Sequence, residues 1–191
     1  AQKATGFTRG AVTDARGSID GGNDSTYAGG VKQADECPAI IATGKNASTQ
    51  NKDDIARIYV AGKLDPSSGH VFLALAWVRV PQNTTSSDLH IGFEFNQSQT
   101  ACGGSSDSLV DRTTGDILIV YNFQSGSASL AYSTWDDTTK SWSAETTLPP
   151  AISNAAVFGG SGSTSDLLKP TGAPNPETNE FGEAILDLTQ A

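Results

Sequence analysis

Methionine is missing from all 191 residues, position 1 included. We therefore expect a processed or excised piece of a longer product, with any export leader already removed. Basic charge is also scarce. Twelve Lys and Arg stand against 21 Asp and Glu, for a net charge of −9, and no Lys/Arg cluster occurs anywhere. Binding to nucleic acid or to an anionic membrane surface draws on a basic face, so both are set aside as partners. Long hydrophobic runs are lacking too. The longest, Val71 to Val78, is strand-sized, well short of the ~18 apolar residues of a spanning helix, and no membrane span is expected.

Histidine is limited to His70 and His90, and no G-x-S-x-G elbow is present. A Ser/His/Asp site needs an activated serine beside one of those rings, so acyl-transfer chemistry is not expected. Cysteine is limited to Cys37 and Cys102. An even count fits one disulfide and an oxidising compartment, the alternative being two buried thiols in a reducing one. A Cys37–Cys102 bridge would close a loop of 65 residues, worth up to roughly 4 kcal/mol by chain entropy.

What the chain has in quantity is Ser and Thr, about a fifth of all residues, with 20 Gly and little Lys or Glu. That composition is typical of secreted or surface-exposed proteins. Hydrophobic residues at 37%, taken with glycine, suffice for one globular core, and the length fits one domain.

Residues 1–36 carry isolated apolar positions (Phe7, Val12, Ile19, Tyr27, Val31) and no helical period. They read as an extended Gly/Ser-rich arm with room for one short edge strand. The arm either covers an edge of its own sheet or donates a strand to a neighbour. From residue 55 the pattern is β. Ile55–Lys63 and His70–Val80 flank the turn Asp65-Pro66-Ser67-Ser68-Gly69 and form a hairpin, the second strand apolar on both faces and hence central. Asp88–Asn96 alternates, with Leu89, Ile91, Phe93 and Phe95 on one face and His90, Gly92, Glu94 and Asn96 on the other. Asp116–Phe123 and Ser127–Trp135 make a second hairpin, Trp142–Leu148 joins it, and Phe181–Leu188 closes the series. Ser163–Leu168 is the best helix candidate, a single turn. Segments 102–114 and 153–179 read as long loops, where binding function tends to sit. The predicted fold is all-β: an antiparallel β-sandwich of jelly-roll (concanavalin-like) type over residues 37–191, with an extended N-terminal arm.

An ordered set of short runs carries a resemblance. It comprises Asn51-Lys52-Asp53-Asp54-Ile55, Ala76-Trp77-Val78-Arg79, Gly92-Phe93-Glu94-Phe95-Asn96-Gln97-Ser98, Arg112-Thr113-Thr114-Gly115-Asp116-Ile117-Leu118-Ile119, Phe181-Gly182-Glu183-Ala184 and Asp187-Leu188-Thr189. Over roughly residues 30–191 the chain resembles the N-terminal β-sandwich region of large secreted or wall-anchored surface proteins of Gram-positive, mainly actinobacterial, type. The resemblance implies an extracellular or cell-wall location and a surface role, and no particular chemistry. The sorting signal and downstream repeats frequent in such proteins are not in this sequence.

Three candidate sites follow from residue types. Glycoside hydrolysis needs two carboxylates about 5 to 9.5 Å apart, and Glu94 and Glu183 are the mid-strand acids of note. The plainer reading, which we favour, has each facing solvent or paired with Arg79 or Arg57. Trp135 and Trp142 flank the Asp136–Lys140 turn with Tyr132 near by, a candidate carbohydrate platform, the alternative being rim core. Calcium takes carboxylate and carbonyl oxygens from loops. Asn51, Asp53 and Asp54 are the first choice for a structural Ca2+, ahead of Asp107-Asp111, Asp136-Asp137 and Asp20-Asn23-Asp24. Acidic loops are also ordinary turns. No other cofactor is expected. The Asn-x-Ser/Thr triplets at Asn23, Asn46, Asn83 and Asn96 are read as chance in a Ser/Thr-rich chain.

The reading as a whole is an extracellular, non-catalytic cell-surface domain, adhesive or structural. Its partners would be other copies of itself, or matrix or cell-wall glycan or protein. The alternatives are a fibre subunit using the arm as donor strand, and a carbohydrate-binding or glycoside-hydrolysing module.

Overall fold

The computed structural model describes residues 55–79, 89–100, 111–124, 127–159, 163–169 and 171–191, and the backbone of three strands before them. Those are β1 (Thr8–Thr13), β2 (Thr26–Tyr27) and β3 (Ile40–Ile41). Then come β4 (Ile55–Leu64), β5 (Val71–Arg79), β6 (Leu89–Phe95), β7 (Ile117–Gln124), β8 (Ser127–Asp136), β9 (Ser141–Trp142), β10 (Thr146–Thr147), β11 (Ser153–Val157) and β12 (Phe181–Asp187). Among the described residues there is no helix.

The strands form two antiparallel sheets. The first has the order β1-β4-β5-β12-β11 and the second the order β10-β8-β7-β6, with β9 on β8; β2 and β3 pair separately. The chain runs as a hairpin (β4, β5) in the first sheet, a meander (β6, β7, β8) in the second, and a hairpin (β11, β12) back in the first. Every expected strand from residue 55 onward is present, except that Trp142–Leu148 is split into β9 and β10. β5 is central, as its two-sided apolarity requires.

Alternation sorts each strand into a face toward the other sheet and a face away from it. Leu73, Leu75 and Trp77 of β5 and Ala184 and Leu186 of β12 meet Leu89, Phe93, Ile119, Tyr121 and Leu130 of the second sheet in one buried cluster. Trp77 and Tyr121 cross the gap edge to face, centroids 5.6 Å apart at 84°, an arrangement worth about 0.5–1.5 kcal/mol beyond area burial. The two sheets therefore share one core, as in a sandwich.

The β4–β5 turn closes through Asp65 N–H to His70 O and Gly69 N–H to Asp65 O, both 2.8 Å. Gly69 has φ +74°, a conformation costly for other residues. β1 pairs with β4 from Thr8↔Gly62 to Thr13↔Arg57, so the arm supplies an edge strand to its own sheet.

Two expectations on the later chain are corrected. β11 lies inside the predicted loop 153–179, along β12 from Ser153↔Leu186 to Val157↔Gly182. Its residues, Ser-Asn-Ala-Ala-Val, are small and of weak strand preference, and it is held by its partner rather than by its own pattern. Ser163–Leu168 is not a helical turn. Ser163 bridges to Glu177, and the Asp166 carboxylate accepts the Leu168 N–H at 3.0 Å, the local bond by which Asp competes with helix.

The described part of that segment lies across the outer face of the first sheet. Asp166 Oδ2 accepts from Arg57 Nε at 3.1 Å and from the Tyr59 hydroxyl at 2.7 Å. Tyr59, Ala76 and Val78 form a second, smaller buried cluster there, with Phe181 against it. Burial, and then the hydrogen bond to Asp166, push the Tyr59 phenol up to about 12.

Candidate functional site

The acids and aromatics singled out in the sequence divide between the two outer faces and the core. Glu94 pairs with Leu118 across β6 and β7, on the face turned away from the shared core. Glu183 pairs with Ala76 across β12 and β5, on the outward series of the first sheet. Both sheets and the core separate them, so they do not form an acid/base pair. The Glu183 charge, after burial, helps to push up the Tyr121 phenol.

Glu94 is instead one half of an ion pair. Arg112 donates from Nε to Oε1 at 2.8 Å and from Nη2 to Oε2 at 2.7 Å. The Arg112 side chain is only 2% exposed. Its guanidinium carbon lies 5.1 Å from the ring centroids of both Trp135 and Trp142. The two indoles meet edge to face, 5.3 Å apart. The expected partner type for Glu94 is right, but the arginine is Arg112 rather than Arg79 or Arg57. Arg79 is buried over Trp77 and donates to Asn179 O.

Asp116 completes this end of the second sheet. It is fully buried and accepts from Thr113 N–H at 2.8 Å, Gln97 N–H at 2.9 Å, Thr113 Oγ1 at 3.1 Å and Asn96 Nδ2 at 3.2 Å. Burial works to raise its carboxyl, and the donors outweigh burial and hold it below the ordinary carboxylate range. Asn96 Nδ2 also donates to Glu94 at 2.7 Å, so one network ties both acids to the Arg112–Asp116 run.

The carbohydrate platform is therefore not assembled as expected. Trp135 is 1% exposed. Tyr132 packs against the core cluster, on the opposite side of β8 from Trp135. Trp142 is half-buried and engaged by Trp135 and Arg112. Of the calcium candidates, Asp136 ends β8 and Asp137 opens the turn after it. Asp136 accepts the Thr138 N–H at 2.8 Å, and Asp137 pairs with Lys140 at 2.6 Å. Asn51, Asp53, Asp54, Cys37 and Cys102 lie outside the described residues, as do Asp20, Asn23, Asp24 and Asp107. Among the described residues no cluster of three or more His, Cys, Asp or Glu has metal-site geometry.

An open groove that sequence reading missed lies on the outer face of the first sheet, where β5, β12 and the start of β11 meet. It measures about 460 Å³ and is lined chiefly by His70, Phe72, Ser153, Asn154, Ile185 and Gln190. The buried Asp187 anchors it. Asp187 Oδ2 meets His70 Nδ1 at 2.6 Å and accepts from Gln190 Nε2 at 2.8 Å, while Oδ1 accepts the Thr189 N–H at 3.0 Å. Burial acts to raise this carboxyl, and the bonds from His70, Gln190 and Thr189 lower it overall. The turn of residues 187–191 is itself tied down, since Val71 N–H donates to Thr189 Oγ1 at 2.8 Å. His70 and Asp187 are 117 residues apart in sequence. Only the antiparallel pairing of β5 with β12, Phe72↔Asp187, brings them together. A histidine held by a buried carboxylate is the orienting half of a catalytic triad, but the two serines among the described residues that line the groove direct their hydroxyls elsewhere. Ser68 Oγ donates to Asp65 at 2.7 Å and Ser153 Oγ to Pro149 O at 3.1 Å.

No family model, no curated protein and no solved structure matches this chain.

Proposed function

We propose that the chain is an extracellular, non-catalytic domain of a bacterial cell surface, secreted or wall-associated, with an adhesive role. The observation that supports the non-catalytic part of this reading is the engagement of Glu94. Both its oxygens are held by Arg112 in a two-pronged ion pair stacked on two tryptophans. A carboxylate so fixed serves to hold structure, whereas a general acid must gain and lose a proton during turnover. Composition, the even cysteine count and the resemblance to Gram-positive surface proteins support the location. On the finer architecture, the hairpin–meander–hairpin order favours a plain sandwich over the strand-by-strand alternation of a jelly roll.

The pairing of β1 with its own β4 favours a self-contained domain over a fibre subunit, since a donor strand would occupy the same register in a neighbour. Size-exclusion chromatography with light scattering, with and without a calcium chelator, tests this. A monomer indifferent to chelation is the expected result, and polymers would promote the fibre reading. Saturable turnover of any glycan by the pure chain would overturn the non-catalytic assignment.

A further inference from the structure

We infer that the groove beside His70 and Asp187 binds a neutral, hydroxyl-bearing ligand, a pyranose unit of a glycan. The inference rests on the adhesive reading above and gives it a place and a ligand class.

Size comes first. About 460 Å³ falls within the range of roughly 300–1,000 Å³ typical of small-ligand sites. The floor comes next. Phe72 and Ile185 lie on the outward face of the first sheet, and Ile185 leaves 40% of its surface in solvent. The His70 ring stands beside Phe72, centroids 6.3 Å apart and planes at 39°. Aromatic and aliphatic surface of this kind covers the C–H face of a sugar ring and stays wet when no ligand is present.

The rim decides the charge of the ligand. Ser68, Ser153, Asn154 and Gln190 offer hydroxyls and amides, and no lysine or arginine lines the groove. An anionic ligand would find no fixed cation there, in a chain whose net charge is −9. The single lining carboxylate, Asp187, is 4% exposed and already accepts from His70, Gln190 and Thr189. A cationic ligand or metal would have to displace those donors. A neutral polyhydroxylated ligand needs neither charge.

Asp187 sets the direction of His70. With the carboxylate on Nδ1, that nitrogen carries the proton, and Nε2 on the far edge of the ring remains for the ligand. The imidazole side chain is 31% exposed. Neutral imidazole accepts at Nε2, whereas imidazolium donates there. A sugar hydroxyl satisfies either state, because it both donates and accepts.

The test is an NMR titration of the isotope-labelled full chain with maltohexaose, cellohexaose, mannohexaose and chitohexaose. One or more should bind, with shifts confined to residues 68–72, 150–154 and 185–190 and a change at the His70 Nε2 resonance. Phe72→Ala and His70→Ala should weaken binding roughly tenfold or more. Asn154→Ala, at an exposed position of an edge strand, leaves the fold intact and should weaken it several-fold. Trp142→Ala should leave affinity unchanged. Shifts centred on Trp142 and Glu94, or full affinity in both Phe72→Ala and Asn154→Ala, would overturn the groove. Preference for an acidic hexuronate chain, or no binding by any neutral probe up to about 10 mM, would overturn the ligand class. The adhesive reading would survive that last result with a protein ligand, and fails only if matrix and cell-wall protein arrays are negative as well.

Discussion

Trp77 fills the space that a side chain at Gly182 would need. A Cβ at that position would lie 2.2 Å from Cζ2 and 2.4 Å from Cε2 of the indole. The ring has nowhere to go: it is fully buried, paired with Tyr121 on one side and capped by Arg79. Gly182→Ala should therefore cost about 3 kcal/mol, at the upper end of overpacking, or a fall in Tm of about 2–4 °C for each kcal/mol in a chain of this size. Adding Trp77→Phe should recover part of the loss, and calorimetry of the single and double variants checks both.

Arg112 and Glu94 make the second prediction. Glu94→Gln strands a buried guanidinium and should destabilise by about 3 kcal/mol. Arg112→Lys keeps the charge but loses the two-pronged fit and the stacking on both indoles, and should cost about 2 kcal/mol. The double variant Glu94→Leu with Arg112→Met should be more stable than the sum of its single changes implies, with the coupling read from a urea-denaturation cycle.

The phenol of Tyr59 supplies an alkaline signature. Its pKa stands at about 12 in the folded chain, against about 10 unfolded. A raised pKa stabilises the fold while the group is protonated in both states. That contribution is whole below about 10 and is lost as the pH climbs from about 10 to about 12. Tyr121 is pushed up as well, by burial and then by Glu183. Absorbance at the tyrosinate band should show Tyr59 and Tyr121 ionising late, together with unfolding. In Tyr59→Phe one late step disappears, and stability at neutral pH drops by about 1 kcal/mol through the lost bond to Asp166.

The carboxylate of Asp116 supplies the acid signature. Its pKa lies below the ordinary value, so its contribution is present above about 4 and fades as the pH falls through the folded value. Asp116→Asn keeps the shape but not the charge on the Thr113 and Gln97 amides, and should cost about 2–3 kcal/mol near neutrality. The gap between wild type and variant should close as urea midpoints are followed into acid. A gap that stayed constant would show that the charge of Asp116 contributes nothing.

The strands from residue 55 onward were legible because their alternation is strong and their turns carry Gly, Asp and Pro at the required places. β11 was not, since Ser-Asn-Ala-Ala-Val has neither bulk nor alternation and owes its conformation to β12. The site divided in the same way. That Glu94 belongs to a wet, paired face could be read from β6 alone, but the identity of its partner could not. Arg112 lies before β7, and only the β6–β7 register brings it to Glu94. His70 and Asp187 were invisible as a pair for a similar reason: His70 precedes β5 and Asp187 ends β12, and nothing local to either residue points to the other. Asp187-Leu188-Thr189 drew attention as part of a resemblance, while its hydrogen bonds to the β5 end are a property of the fold.

The place of β12 bears on how the domain can be made. It lies between β5 and β11, yet it is the last strand along the chain, and it carries both Gly182 and Asp187. A chain made N-terminus first would hold β1, β4 and β5 with an open central edge until residue 187 had emerged. The first sheet cannot close piecemeal as the chain emerges. Closure waits for a long-range pairing, the slow kind in folding, and through that interval the bare edge of β5 is the surface most prone to join the wrong chain.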